Sequence, residues 1–139
     1  KAINASDIFL GYYEKLIDKA IEIENSFIYL DPPYVENSKT SNFTSYSKDS
    51  FKEAGNIDAE HIRLSENFDK LIESNSKAVL SNHNNSKAME IFVEGKKDIF
   101  VYEIDITKTI GRVKGSDNTS SELLISTFKV SALKDKRLY

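Results

Sequence analysis

Four consecutive residues, Asp31-Pro32-Pro33-Tyr34, contain both prolines of the chain and follow directly on the apolar run Phe27-Ile28-Tyr29-Leu30. An acid, two residues without an N–H and an aromatic ring at the exit of an apolar strand could activate an exocyclic aromatic amine. Such an amine is a poor nucleophile because its nitrogen lone pair is delocalised into the ring. If two acceptors take its two N–H bonds, the nitrogen is drawn toward tetrahedral geometry and its lone pair is held toward an electrophile. Asp31 supplies a carboxylate for the first bond and a proline carbonyl the second, with the rigid ring limiting where the neighbouring carbonyls point. Tyr34 offers a flat face on which an extruded nucleobase can stack. The same tetrapeptide has a purely structural reading as a stiff, extended strand exit, because each residue before a proline is pushed out of the helical region.

The elements that must position these residues follow from periodicity. Ile3 to Ala5 reads as the end of a strand, and Ser6 or Asp7 as the cap of a helix carrying Phe9, Leu10, Tyr13, Leu16, Ile17, Ala20 and Ile21 at helical spacing. Phe27 to Leu30 suits a buried parallel strand, and residues 35–56, rich in Ser, Asn, Thr and Lys, a long loop. A second helix begins near Asp58 and carries His61, Leu64, Phe68 and Leu71 in one stripe, where His61 reads as a packed core residue. The strand Ala78 to Ser81, a short helix capped by Ser86 and stopped by Gly95, and strands over Ile99–Ile106 and Glu122–Phe128 complete the order. The alternation predicts an α/β fold with a mostly parallel sheet. Its last two strands, with no helix between them, should form an antiparallel hairpin at one edge.

Composition bounds the function classes. The 139 residues, 40% hydrophobic and 29% charged, suit one globular domain. Without cysteine the chain has no disulfide, no thiolate metal site and no cysteine nucleophile, as expected of a cytoplasmic protein. No apolar run approaches the roughly 20 residues that span a bilayer, and the N-terminus lacks signal-peptide features, so no membrane association is expected. The net charge of −3 is not that of a protein that neutralises many phosphates. Its distribution is uneven: residues 1–95 hold 10 basic and 16 acidic side chains, and residues 96–139 hold 9 and 6. Lys39, Lys108, Arg112 and Lys114 are the candidate phosphate contacts, with solvated surface as the alternative for each. Because Lys1 opens an apolar stretch with no partner strand ahead of it, the fold is expected to be incomplete on its N-terminal side.

With the tetrapeptide in view, the later segments Asn42-Phe43-Thr44 with Tyr46, Ser81-Asn82-His83 and Glu122-Leu123-Leu124-Ile125 follow in an order that resembles the Dam-like class of DNA adenine methyltransferases. The resemblance runs from about Ala5 to Phe128. It implies a Rossmann-like fold, S-adenosylmethionine as cofactor, double-stranded DNA as partner, and methyl transfer to the 6-amino group of a flipped adenine, as in restriction-modification. Carried onto this chain, it implies that Asp31 accepts from the adenine amino group and touches the amino-acid end of the cofactor. Pro32 contributes its carbonyl, Pro33 keeps the turn rigid and Tyr34 stacks on the base. Asp7 matches a place where such enzymes hold the cofactor adenosine, and a helix N-cap is its alternative role. Lys39, Phe43, Tyr46, Ser81, Asn82 and His83 are the remaining candidates for substrate contact.

The departures are as informative. The family's Phe-x-Gly-x-Gly turn is absent, since Gly11, Gly55, Gly95, Gly111 and Gly115 form no such group, and most of the target recognition domain is missing. Residues 1–139 thus read as the C-terminal, catalytic part of a methyltransferase domain. An apolar sheet edge is expected to pair with the missing N-terminal part or with a second copy. Methylation of an amino group in RNA and a noncatalytic nucleic-acid-binding remnant are the alternative functions.

Overall fold

A computed structural model describes residues 7–36, 57–107 and 119–135. The expected strand at Ile3–Ala5, Ser6, and the candidate contacts Lys39, Phe43, Tyr46, Lys108, Arg112 and Lys114 lie outside the described residues. Helix α1 (Tyr13–Ile21) leads to strand β1 (Phe27–Leu30), helix α2 (Ile57–Glu73), strand β2 (Lys77–His83), helix α3 (Ser86–Phe92) and strands β3 (Phe100–Thr107) and β4 (Thr119–Ser126).

The four strands form one sheet in the order β1-β2-β4-β3. β1 pairs in parallel with β2, placing Leu30 opposite Leu80, whereas β2–β4 and β3–β4 are antiparallel. The edge hairpin of β3 and β4 is as the sequence predicts. The sheet is mixed among the described strands: β1, β2 and β3 run in one direction, joined by crossovers through α2 and α3, and β4 inserts between β2 and β3 against both. Central β2 buries Ala78, Leu80, Ser81 and Asn82, and the core around it includes Phe68, Leu71, Phe92, Ile99, Val101, Leu123 and Ile125. β1 is not a fully buried strand. It lies at the sheet edge, with Phe27 60% and Tyr29 56% exposed on one face and Ile28 and Leu30 half-buried on the other.

Three local expectations are corrected. The first helix does not start at Asp7. Asp7 to Tyr12 are non-helical, and Tyr12 occupies the N-cap with no side-chain cap bond. Gly11 disfavours helix, and Ile8 and Leu10 at 92% and 100% exposure have no packing that would offset the cost of winding another turn. Asn85, not Ser86, caps α3: its backbone is extended and its Oδ1 accepts from Ala88 N at 2.8 Å. β4 starts and ends earlier than Glu122–Phe128. Its polar start is carried by the hairpin ladder, with Thr119 opposite Thr107, and Ser126 Oγ ends it by bonding both N and O of Phe128. Gly95 stops α3 as expected, with φ +75°, a conformation that favours glycine.

Candidate active site

Sheet direction brings the candidate residues together. Because β1 and β2 are parallel, Asp31 and Ser81-Asn82-His83 leave the sheet at the same edge. Antiparallel β4 enters there, so Glu122 stands opposite His83. Ligands bind at such carboxyl-terminal strand edges in α/β folds.

Asp31 is exposed, and one of its oxygens is fixed. Buried Ser81 donates its hydroxyl to Asp31 Oδ1 at 2.8 Å while accepting from Tyr29 Oη at 3.2 Å. The relay orients the carboxylate and leaves it facing solvent. Tyr34 is half-buried. Its hydroxyl donates to Glu122 Oε2 at 3.0 Å, and its ring meets the His83 ring edge to face at 4.7 Å and 84°.

The backbone leaving the tetrapeptide belongs to neither helix nor strand, so side chains must satisfy it. Three elements contribute. His61 Nε2 on α2 donates to the Pro33 carbonyl at 2.8 Å. Fully buried Asn82 on β2 accepts from Val35 N at 2.9 Å and also from His83 N, and Asn85 Nδ2 donates to Val35 O at 2.9 Å. Replacing Asn82 by Leu should cost about 1–3 kcal/mol of stability, since the buried Val35 N–H loses its acceptor. Chemical denaturation measures this, and a loss below about 0.5 kcal/mol would mean that another acceptor replaces Asn82.

Burial pushes the Tyr34 phenol up to about 12, and the Glu122 and Asp31 carboxylates add to the rise against an opposing hydrogen-bond contribution from Ser81. Between pH 10 and about 12 the folded state therefore holds a proton that the unfolded chain has lost. Stability from this group is complete below pH 10 and falls as pH rises through 12. Tyr34→Phe should flatten that fall in a pH series of denaturation midpoints; an unchanged slope would contradict it.

Asp31, Pro32, Pro33, Tyr34, Ser81, Asn82 and His83 converge, with Ser81 and Asn82 buried behind the others. Asp7 is exposed, and no shared contact ties it to this group. His61 is buried, as its place on the helix stripe predicts, but its bond to Pro33 had no sequence signal. Glu122 had a faint one, as a charge opening the apolar run Leu-Leu-Ile. Among the described residues no group of three or more His, Asp or Glu could hold a metal ion, and no helix is long and apolar enough to cross a membrane.

The arrangement can accept hydrogen bonds from an amine at Asp31 and stack a flat ring beside Tyr34. The family model described as D12 class N6 adenine-specific DNA methyltransferase matches residues 1–110. The Type II methyltransferase M1.LlaDCHI of Lactococcus lactis subsp. cremoris is 30% identical over 125 residues, which are 90% of this chain and 40% of that protein. The Type II methyltransferase M.MjaIII of Methanocaldococcus jannaschii is 39% identical over 85 residues, 61% of this chain and 27% of that protein. The chain thus spans two fifths or less of the length of these curated relatives. No solved structure matches it.

Proposed function

The chain belongs to the D12 class of N6 adenine-specific DNA methyltransferases, and from that premise we propose that it carries the methyl-accepting half of the reaction centre. The reading is that adenine, flipped from double-stranded DNA, binds between Asp31 and Tyr34 and is methylated on its 6-amino nitrogen. The observation that carries it is the exposed Asp31 carboxylate, oriented by Ser81 at the sheet edge where Tyr34 also stands.

Each residue has a distinct task. Asp31 and the Pro32 carbonyl accept the two amino N–H bonds and localise the nitrogen lone pair. Tyr34 stacks on the base, and Glu122 and His83 hold its ring. S-adenosylmethionine, the cofactor this family uses, supplies an electrophilic methyl group when bound. The exposed Asp31 carboxylate fits the cationic amine of its amino-acid end, and exposed Asp7 is the candidate for its adenosine. After the adenine nitrogen has taken the methyl group, its surplus proton passes to Asp31 or to water. Catalysis here is chiefly orientation, with the nitrogen held for in-line attack.

The mixed sheet agrees with the hairpin end of a Rossmann-like methyltransferase fold, of which residues 1–139 would be the C-terminal, catalytic part. The glycine turn and target recognition domain would come from elsewhere in the same enzyme. The edge of β1, flanked by exposed Phe27 and Tyr29, is then the surface that pairs with that part or with a second copy. The type II methyltransferases among the relatives support a role in type II restriction-modification, and the reading places that role in the cytoplasm.

The test uses the complete reading frame that carries this chain, labelled cofactor, and unmethylated duplex DNA or RNA, followed by digestion to nucleosides. Labelled N6-methyldeoxyadenosine from DNA supports the reading. Label only in RNA would move it to an RNA amino-group methyltransferase, and no label in either would leave a noncatalytic module.

A further inference from the structure

Two successive prolines leave the tetrapeptide an unusual set of freedoms. Each ring locks its own φ, and Pro33 further restricts the ψ of Pro32 because it follows it. The Pro32 carbonyl is therefore confined to a narrow range of directions by covalent structure. The ψ of Pro33 is not restricted in this way, since Tyr34 follows it rather than a third proline. Rotation about that bond swings the Pro33 carbonyl and carries Tyr34 with it, relative to Asp31 and the Pro32 carbonyl.

Among the described residues, the side chain of His61 meets this soft bond. His61, on α2 and 1% exposed, places Nε2 2.8 Å from the Pro33 carbonyl oxygen. A carbonyl only accepts, so Nε2 carries the proton. The imidazole is itself set edge to face against the buried Phe92 ring at 6.1 Å. Packing alone does not call for an imidazole at this position, where Leu64, Phe68 and Phe92 form an apolar core. A buried polar ring costs stability unless it is hydrogen-bonded, and the Pro33 carbonyl provides that bond.

We propose that His61 is a positioning residue for methyl transfer: its Nε2–H locks ψ of Pro33 and so sets the Tyr34 ring against the acceptors Asp31 and Pro32. The inference rests on the proposed methyl transfer to a stacked adenine. It acts through Pro33 and Tyr34, without contact between His61 and the substrate. Asn82 and Asn85 hold the next peptide groups, at Val35, and complete the clamp on the chain leaving the motif.

The experiment compares His61→Leu, which keeps bulk and loses the donor, with His61→Gln, whose amide nitrogen can reach the place of Nε2. Both are made in the complete reading frame and assayed well below their melting temperatures. The readouts are kcat, KM for DNA, and the fluorescence of 2-aminopurine at the target position, which reports how the extruded base is held. His61→Leu should lower kcat about 10- to 100-fold, the scale of a misplacement near 1 Å, with cofactor affinity unchanged. It should also alter the 2-aminopurine signal, and His61→Gln should restore both. If His61→Leu keeps kcat within about twofold, or if His61→Gln is as impaired as His61→Leu, His61 is only a core residue and the inference is overturned with the methyl-transfer reading intact. If the unaltered enzyme transfers no methyl group, the reading itself fails and the inference falls with it.

Discussion

Replacing Asp31 by Ala in the complete reading frame should lower methyl transfer to duplex DNA by about 10²–10³-fold, the scale of losing one oriented electrostatic partner in the transition state. The cause lies in the amine. Its lone pair is delocalised, and without the carboxylate only the Pro32 carbonyl is left to draw the nitrogen out of conjugation. The loss should fall on kcat more than on KM for DNA, because the bond to Asp31 strengthens as the nitrogen gains positive charge. Asp31→Asn keeps one acceptor oxygen but sets an N–H near the substrate's own, and should recover only part of the rate. Neither change should unfold the protein, since Asp31 is exposed and bonded only through the Ser81 hydroxyl among the described contacts. A melting temperature that holds while kcat collapses separates this role from a structural strand exit. Near-normal transfer by Asp31→Ala would leave the tetrapeptide as a stiff turn.

The second large effect belongs to Tyr34. Tyr34→Ala should raise KM for DNA roughly 10- to 100-fold, because stacking of a base on an aromatic face is worth about 1–3 kcal/mol. Tyr34→Phe retains the face and removes the bond to Glu122. It should cost only about 2- to 10-fold, the net worth of one hydrogen bond. Steady-state kinetics on a duplex with a single target adenine checks both. Equal losses in the two variants would mean that the hydroxyl, rather than the ring face, is what the substrate needs.

How much of this was legible in the sequence depends on where the signal is local. Asp31 to Tyr34 was legible because proline is locally unmistakable and the preceding run is apolar. Helix α2 was legible because Leu64, Phe68 and Leu71 repeat on one face. The start of α1 was not. Phe9 and Leu10 keep helical spacing, yet spacing predicts a helix only if something covers its apolar face, and both side chains are exposed. Strand β4 extends through Thr119 to Ser121 because its partner Asp105 to Thr107 is in register, a non-local cause that residue types do not carry. The site divides in the same way. Its chemical residues announce themselves by type, whereas His61, Asn85 and Glu122 act through distances to Pro33, Val35 and Tyr34 across 28, 50 and 88 residues of chain. No pattern in one sequence encodes those pairings.

A crystal structure would decide whether Asp31 and Pro32 grip the amino group of a flipped adenine. The complete enzyme would be bound to target duplex and a cofactor analogue that cannot transfer its methyl group. The adenine should lie outside the helix and stack on Tyr34, with its 6-amino nitrogen about 3 Å from both an Asp31 oxygen and the Pro32 carbonyl. An extruded adenine whose amino nitrogen meets other groups, with Asp31 turned away from it, would mean that these acceptors do not activate the amine.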